Sequence, residues 1–236
     1  MSSNILIVES KNDKYFFDAI ISHLNRINRN CDIEIKTPIL IANNDYQLMN
    51  GSKAAELEKA LKDFKADIQK REIEKIGIVV DIDNDSKEAK IKFINDCIQR
   101  IFPDSPLINN TNEFINLSFD EFNVSLACYF TNVNGQGELE TLLKLIKSSD
   151  SIFADCLESW KNCLQNQGQE IKPKDFDKLW VNMYIRFDTC SKQDKKQAER
   201  KCSMSGFDYV MEEKADIWNF DHPVLDDLKK FFKMFC

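Results

Sequence analysis

Two short aliphatic runs, each closed by acids, constrain this chain more than anything else in it: Ile5-Leu6-Ile7-Val8 before Glu9, and Ile78-Val79-Val80 before Asp81-Ile82-Asp83-Asn84-Asp85. An unbroken apolar run has no polar face to turn to water. As a strand it must be covered on both sides, which is the situation of a parallel strand between helical layers. The segments between the runs carry the matching helical period. Phe16, Phe17, Ile20, Ile21 and Leu24 predict a helix over 13–29, and Leu57, Leu61, Phe64 and Ile68 another over 52–72, after an extended stretch over 32–42. A third strand over 76–81 leads into a helix over 86–101 that stops before Pro103. Three strand–helix alternations define an α/β fold with a mainly parallel sheet flanked by helices.

The pattern then changes. Phe114-Ile115-Asn116-Leu117 and Val124-Ser125-Leu126-Ala127-Cys128-Tyr129-Phe130 read as two strands joined by a turn at Asp120-Glu121. Gly135-Gln136-Gly137 closes this region and a helix follows over 138–146. Beyond residue 148 the chain is helical and charged, with helices expected over 152–164, 175–189, 192–201 and 223–235. This predicts an α/β domain over 1–147 and a helical C-terminal extension over 148–236 packed on it. The connections at 165–172 and 204–208 are too short to separate independent domains.

With 236 residues and 43% hydrophobic content, the chain can bury an ordinary globular core. It has no apolar run of the roughly 18 residues that spanning a bilayer needs, and no basic-then-apolar leader, so no membrane association and a cytoplasmic location are expected. The eight cysteines form no Cys-x-x-Cys pair, and His23 and His222 have no metal-binding neighbours, so the cysteines read as reduced core thiols rather than zinc ligands. A net charge of -7 argues against a broad basic face for nucleic acid. It does not exclude a nuclease, because bound divalent ions reverse the local field around acids. The basic cluster over 192–201 is either a local patch or a solvated helix face.

The acids carry the chemistry. Ligands of such sheets bind at the carboxyl ends of the strands, and several carboxylates converging there repel one another unless a cation sits among them. An all-oxygen donor set suits Mg²⁺ or Mn²⁺. Glu9 and Asp13 lie about one helical turn apart and could share an ion, although Ser10-Lys11-Asn12-Asp13 also fits a helix cap with Asp13 in solvent. Asp81 and Asp83 are two apart, so an extended backbone points both carboxylates the same way. Asp85 has a rival role, since Asp85-Ser86-Lys87-Glu88 is a good helix start. Glu138 and Glu140, after Gly137, either join the acids or complement a helix dipole. Lys53, beside Gly51-Ser52, could reach a phosphate or stand exposed on its helix. Ser52 itself reads as a helix cap.

Taken together, Val8-Glu9-Ser10-Lys11-Asn12-Asp13 and Asp81-Ile82-Asp83-Asn84-Asp85 after its strand resemble the two signature motifs of the Toprim domain. That domain is shared by topoisomerases, bacterial primases, small ribonucleases and the overcoming-lysogenization-defect nucleases. Ser10 departs from the glycine usual in the first motif. A nearer resemblance is to an uncharacterised bacterial family of small Toprim-like proteins, through Gly137-Glu138-Leu139-Glu140 and Trp218-Asn219-Phe220-Asp221-His222-Pro223 with Leu228 and Phe231-Phe232.

The resemblance implies a Toprim-like, Rossmann-like sheet that binds Mg²⁺ or Mn²⁺ for phosphodiester chemistry. Glu9 would be the general acid/base or first metal ligand, Asp81 and Asp83 the metal ligands, and Asp13 and Glu140 the ligands of a second ion. Asp85, Glu138 and Lys53 would support them. Nothing resembles the topoisomerase tyrosine domain or the primase zinc module. The function expected is that of a metal-dependent nuclease, with nucleic acid as substrate and a protein of the same defence or processing system as partner. The alternative is a non-catalytic Toprim-like module that binds a phosphorylated ligand or a partner protein.

Overall fold

The computed structural model describes residues 4–27, 33–36, 53–70 and 72–236. Among these described residues, five strands form one sheet: β1 (Asn4–Val8), β2 (Glu34–Lys36), β3 (Lys75–Asp81), β4 (Ile115–Phe119) and β5 (Phe122–Thr131), in the order β2-β1-β3-β5-β4. β1 runs parallel to β2 and β3, and β3 parallel to β5, while β4 is the antiparallel edge. The β4–β5 hairpin turns at Asp120, whose φ of 51° puts it in the left-handed region. Of the extended stretch expected over 32–42, only 33–36, with β2, lies within the described residues. Ser52 lies outside them, as does the Lys53 side chain.

Register decides where the acids go. Val8 pairs with Val79, and Asp81 with Thr131, so β1, β3 and β5 end along one edge of the sheet. The residues that follow each strand are therefore neighbours in space.

Alternation along the strands splits the interior into two layers, because successive side chains face opposite ways. Ile5, Ile7, Ile76, Ile78 and Val80 meet α2 (Lys53–Ile68) and α3 (Lys87–Ile101) through Leu61, Phe64, Ile94 and Ile98. Leu6, Val8, Val79, Ala127 and Tyr129 face the other way, toward Phe16, Phe17 and Ile20 of α1 (Lys11–Ile27). That second layer is completed by α4 (Leu139–Leu145) and by the C-terminal elements. These are α5 (Ile152–Asn166), α6 (Pro173–Met183), α7 (Ala198–Lys201), α8 (Phe207–Glu213) and α9 (Asp226–Lys233). Trp180, Tyr184, Phe231, Phe232 and Phe235 are all buried in it.

Gly77 shows how closely α9 approaches. A β-carbon there would overlap Leu6 and stand 2.9 Å from the Phe235 ring and 3.0 Å from the Phe231 ring.

The C-terminal part departs from the expected helices in four places. Helix α8 begins within the connection expected over 204–208, and the helix expected over 223–235 opens as a 3₁₀ turn, Pro223–Leu225, before α9. The helix over 175–189 is α6 followed by a wider π turn, Tyr184–Asp188, closed by Thr189 N–H donating to the Tyr184 carbonyl at 3.1 Å. This turn delivers the Asp188 carboxylate to the start of α5, where it accepts from Phe153 N at 2.9 Å and Ala154 N at 3.0 Å. The segment 192–201 is not one helix but a 3₁₀ turn, Asp194–Gln197, and the short α7. A disulfide between Cys190 and Cys202 holds their Cα atoms 5.7 Å apart. A continuous helix would separate them by about 18 Å at 1.5 Å per residue, so the cross-link and the helix are incompatible. The disulfide also corrects the reading of every cysteine as a reduced core thiol. Cys97 and Cys128 are free and buried, whereas Cys156 and Cys163 are free and exposed. Among the described residues no helix is long and apolar enough to cross a membrane.

Candidate functional site

The acids converge at the carboxyl edge by three local devices. At the end of β1, Ser10 caps α1: its Oγ accepts from Asp13 N at 3.2 Å and donates to Asp13 Oδ2 at 2.6 Å. Asp13 is thus the capping partner, but it is only 5% exposed and faces inward rather than toward solvent. Between β1 and β3, Glu9 Oε1 accepts from the Asp81 backbone N–H at 3.2 Å, which ties the two strand ends together.

The third device places Asp83. Strand β3 stops at Asp81, and Asp83 has left the extended region with a φ of 55°. Its approach to Asp81 is therefore not the same-face geometry of an extended strand, as the spacing suggested. A reciprocal backbone pair does the work, with Asp83 N donating to the Gly137 carbonyl and Gly137 N to the Asp83 carbonyl, each at 2.9 Å. Gly137 itself has a φ of 97°, a conformation that side chains disfavour. The pairing draws the loop after β5 over β3 and sets Glu138, the N-terminal cap residue of α4, beside Asp83.

One ligand oxygen each from Asp81, Asp83 and Glu138 lie within 4.8 Å of one another, a spacing that could hold a metal ion. Glu138, expected only as a supporting residue, is thus a member of this triad and is 4% exposed. Its Oε1 is buried without a hydrogen-bond donor. Glu140, expected as a ligand of a second ion with Asp13, is one of the charges acting on Asp13. Asp85 is exposed and ion-paired to Lys90 at 3.2 Å, and Ser86 is the residue that caps α3.

The electrostatics follow from crowding. Burial pushes the Asp13 carboxyl up to about 7, a shift opposed by the Ser10 hydrogen bond and reinforced by Glu9 and Glu140. Burial, then Asp13, Glu9, Asp83 and Glu138, hold Asp81 well above the usual carboxylate range. Burial and Glu138 raise Glu140, with Lys178 and Lys174 pulling the other way.

Three lysines answer the acids, and no local pattern in the sequence pointed to them. Lys90, 5% exposed, pairs with Asp83 Oδ2 at 3.2 Å. Lys174 Nζ lies between two of the triad carboxylates, 3.1 Å from Asp83 Oδ1 and 2.6 Å from Glu138 Oε2. Lys178, one turn further along α6, stands 3.8 Å from Glu138 Oε1. For Lys174 alone a signal existed: a lysine directly after Pro173 in the first turn of a helix, where positive charge opposes the helix dipole and needs acidic partners.

Fold and site together define an α/β protein with a carboxylate-lined centre at the carboxyl edge of a mostly parallel sheet. The chain belongs to the family described as "Protein of unknown function (DUF3226)", whose model matches residues 3–236. No curated protein and no solved structure matches it.

Proposed function

We propose that this protein is a divalent-metal-dependent phosphodiesterase acting on nucleic acid, a Toprim-like nuclease. The observation that carries the reading is the triad of Asp81, Asp83 and Glu138, with ligand oxygens within 4.8 Å of one another, at the strand edge where Glu9 meets the Asp81 backbone. The residues fit the group: the donors are all carboxylate oxygens, the hard set that Mg²⁺ and Mn²⁺ take, and the buried Glu138 Oε1 lacks a donor.

Asp81, Asp83 and Glu138 would hold the ion, and Asp13 with Glu140 a second one. When bound, the metal supplies positive charge at the phosphoryl oxygens of an in-line displacement. Glu9 stands beside this set and serves as the proton acceptor or donor at the reacting oxygen. A second reading has its own observation: Lys174 and Lys178 already neutralise part of the cluster, as expected of a Toprim-like module that binds a phosphorylated ligand or a partner protein without cleaving it.

The test is cleavage of labelled single- and double-stranded DNA and RNA with Mg²⁺ or Mn²⁺. Glu9→Gln is expected to lower the rate by about 10²–10⁴-fold, the usual cost of losing a positioned acid or base. Cleavage at the wild-type rate in this variant would remove Glu9 from the mechanism. Absence of cleavage by the native protein on every substrate would favour the binding module.

A further inference from the structure

Among the described residues, Lys174 is the lysine whose ammonium bridges two members of the triad, Asp83 and Glu138. Its place in the chain makes this costly in isolation. It follows Pro173 at the first position of α6, within the first helical turn, where the dipole repels positive charge. The carboxylates offset that repulsion: Asp83 and Glu138 lie close to Nζ, and their side chains are 23% and 5% exposed. The lysine itself is 49% exposed, so its stem has a route to solvent. Neither Asp83 nor Glu138 is adjacent to it in sequence; α6 packs beside α4, whose N-terminal cap residue is Glu138.

An ammonium and a small divalent ion compete for the same carboxylate oxygens. Glu138 Oε2 contacts Lys174 at 2.6 Å, while Oε1 is buried without a donor and has Lys178 at 3.8 Å. The carboxylate therefore has one oxygen engaged by the lysine and one that no hydrogen bond satisfies. A lysine bridging the triad in this way cannot share it with a divalent cation.

We infer that Lys174 is a tethered cation that plugs the metal position between Asp83 and Glu138, and that a divalent ion binds the triad only by displacing it. The inference rests on the metal-binding reading above and adds its regulation. The state with Lys174 seated is the resting form, and anything that draws the α6 lysine away, such as the phosphate of an incoming substrate, opens the triad to metal. Affinity of such a site is lowered by the fraction of molecules in which the plug is seated, so removing the plug raises it.

The experiment compares Mn²⁺ binding by calorimetry in the native protein, Lys174→Met, Lys174→Gln and Lys178→Met, all checked for fold by circular dichroism. Lys178→Met is the control, because it removes the same charge near the same glutamate without vacating the bridging position. Both Lys174 variants are expected to bind Mn²⁺ at least about tenfold more tightly than the native protein, with Lys178→Met changed far less. The Lys174 variants should also melt lower without metal and recover with Mn²⁺, since Glu138 and Asp83 each lose one of their cationic partners. An equal gain in Lys178→Met would mean a general field effect and would overturn the plug. Unchanged affinity in the Lys174 variants would overturn it while leaving the metal reading standing. Absence of Mn²⁺ binding in native protein and folded variants alike would defeat both.

Discussion

Asp13 does two jobs with one carboxyl group: it closes the cap on α1 through Ser10, and it adds charge to a crowded sheet edge. The consequence is a contribution to stability that falls as pH rises. Its folded value of about 7 stands above an ordinary value of 3.8, so the native state holds more protons than the unfolded chain between those limits. Stability from this group is fully present below about pH 4 and is lost as pH rises through about 7. Asp13→Asn, which keeps the shape and removes the charge, is expected to raise the unfolding free energy at pH 8 by about 1–3 kcal/mol without metal and to flatten the pH dependence. Urea unfolding at pH 5 and pH 8 measures both. At this scale the sequence was informative about acids and silent about their counter-charges. Glu9, Asp81 and Asp83 follow aliphatic runs and so announce a strand end. Lys174 meets Asp83 across 91 positions, and only folding brings them together.

At the scale of elements, periodicity located β1, β3, the β4–β5 hairpin and helices α1 to α3, because each carries its own apolar repeat. It did not show how neighbours would trim them. The π turn at Tyr184–Asp188 carries Asp188 to the start of α5, 35 residues away in sequence, a link that local periodicity does not encode. Gly77 is a similar case on β3. Read locally, it is a weak residue in an aliphatic strand. In the fold it is the gap through which Phe231 and Phe235 of the C-terminal segment reach the sheet. Gly77→Ala is therefore expected to destabilise by about 1–3 kcal/mol through overpacking, despite the better strand propensity of alanine. A lower denaturant midpoint with an unchanged slope would report it. A midpoint equal to the native one would mean that Leu6 and the two rings yield at no cost.

For the whole molecule, the decisive feature is that both faces of the sheet are apolar and only one is covered by the first half of the chain. Helices α2 and α3 seal the face of Ile5, Ile7, Ile76, Ile78 and Val80. On the other face α1 and α4 cover only part, and Trp180, Tyr184, Leu228, Phe231 and Phe232 supply the rest of the layer. The C-terminal helices also furnish Lys174 and Lys178, so the same segment that completes the core brings the cations to the acids. A chain ending at residue 147 would open to water the part of this face that Phe231, Phe232 and Phe235 cover, Tyr129 included, each side chain so exposed representing about 1.5–3 kcal/mol of lost burial. Folded domains retain only about 5–15 kcal/mol of net stability, so a few such losses exhaust it. The fragment 1–147 is therefore expected to lack cooperative thermal unfolding and to bind a hydrophobic dye, while keeping part of its helical circular dichroism. Adding the separately made segment 148–236 should restore a cooperative transition if the layer can reassemble. A fragment that melted cooperatively alone, with no dye binding, would show that α1 and α4 suffice to close that face and that the C-terminal helices are needed only for the site.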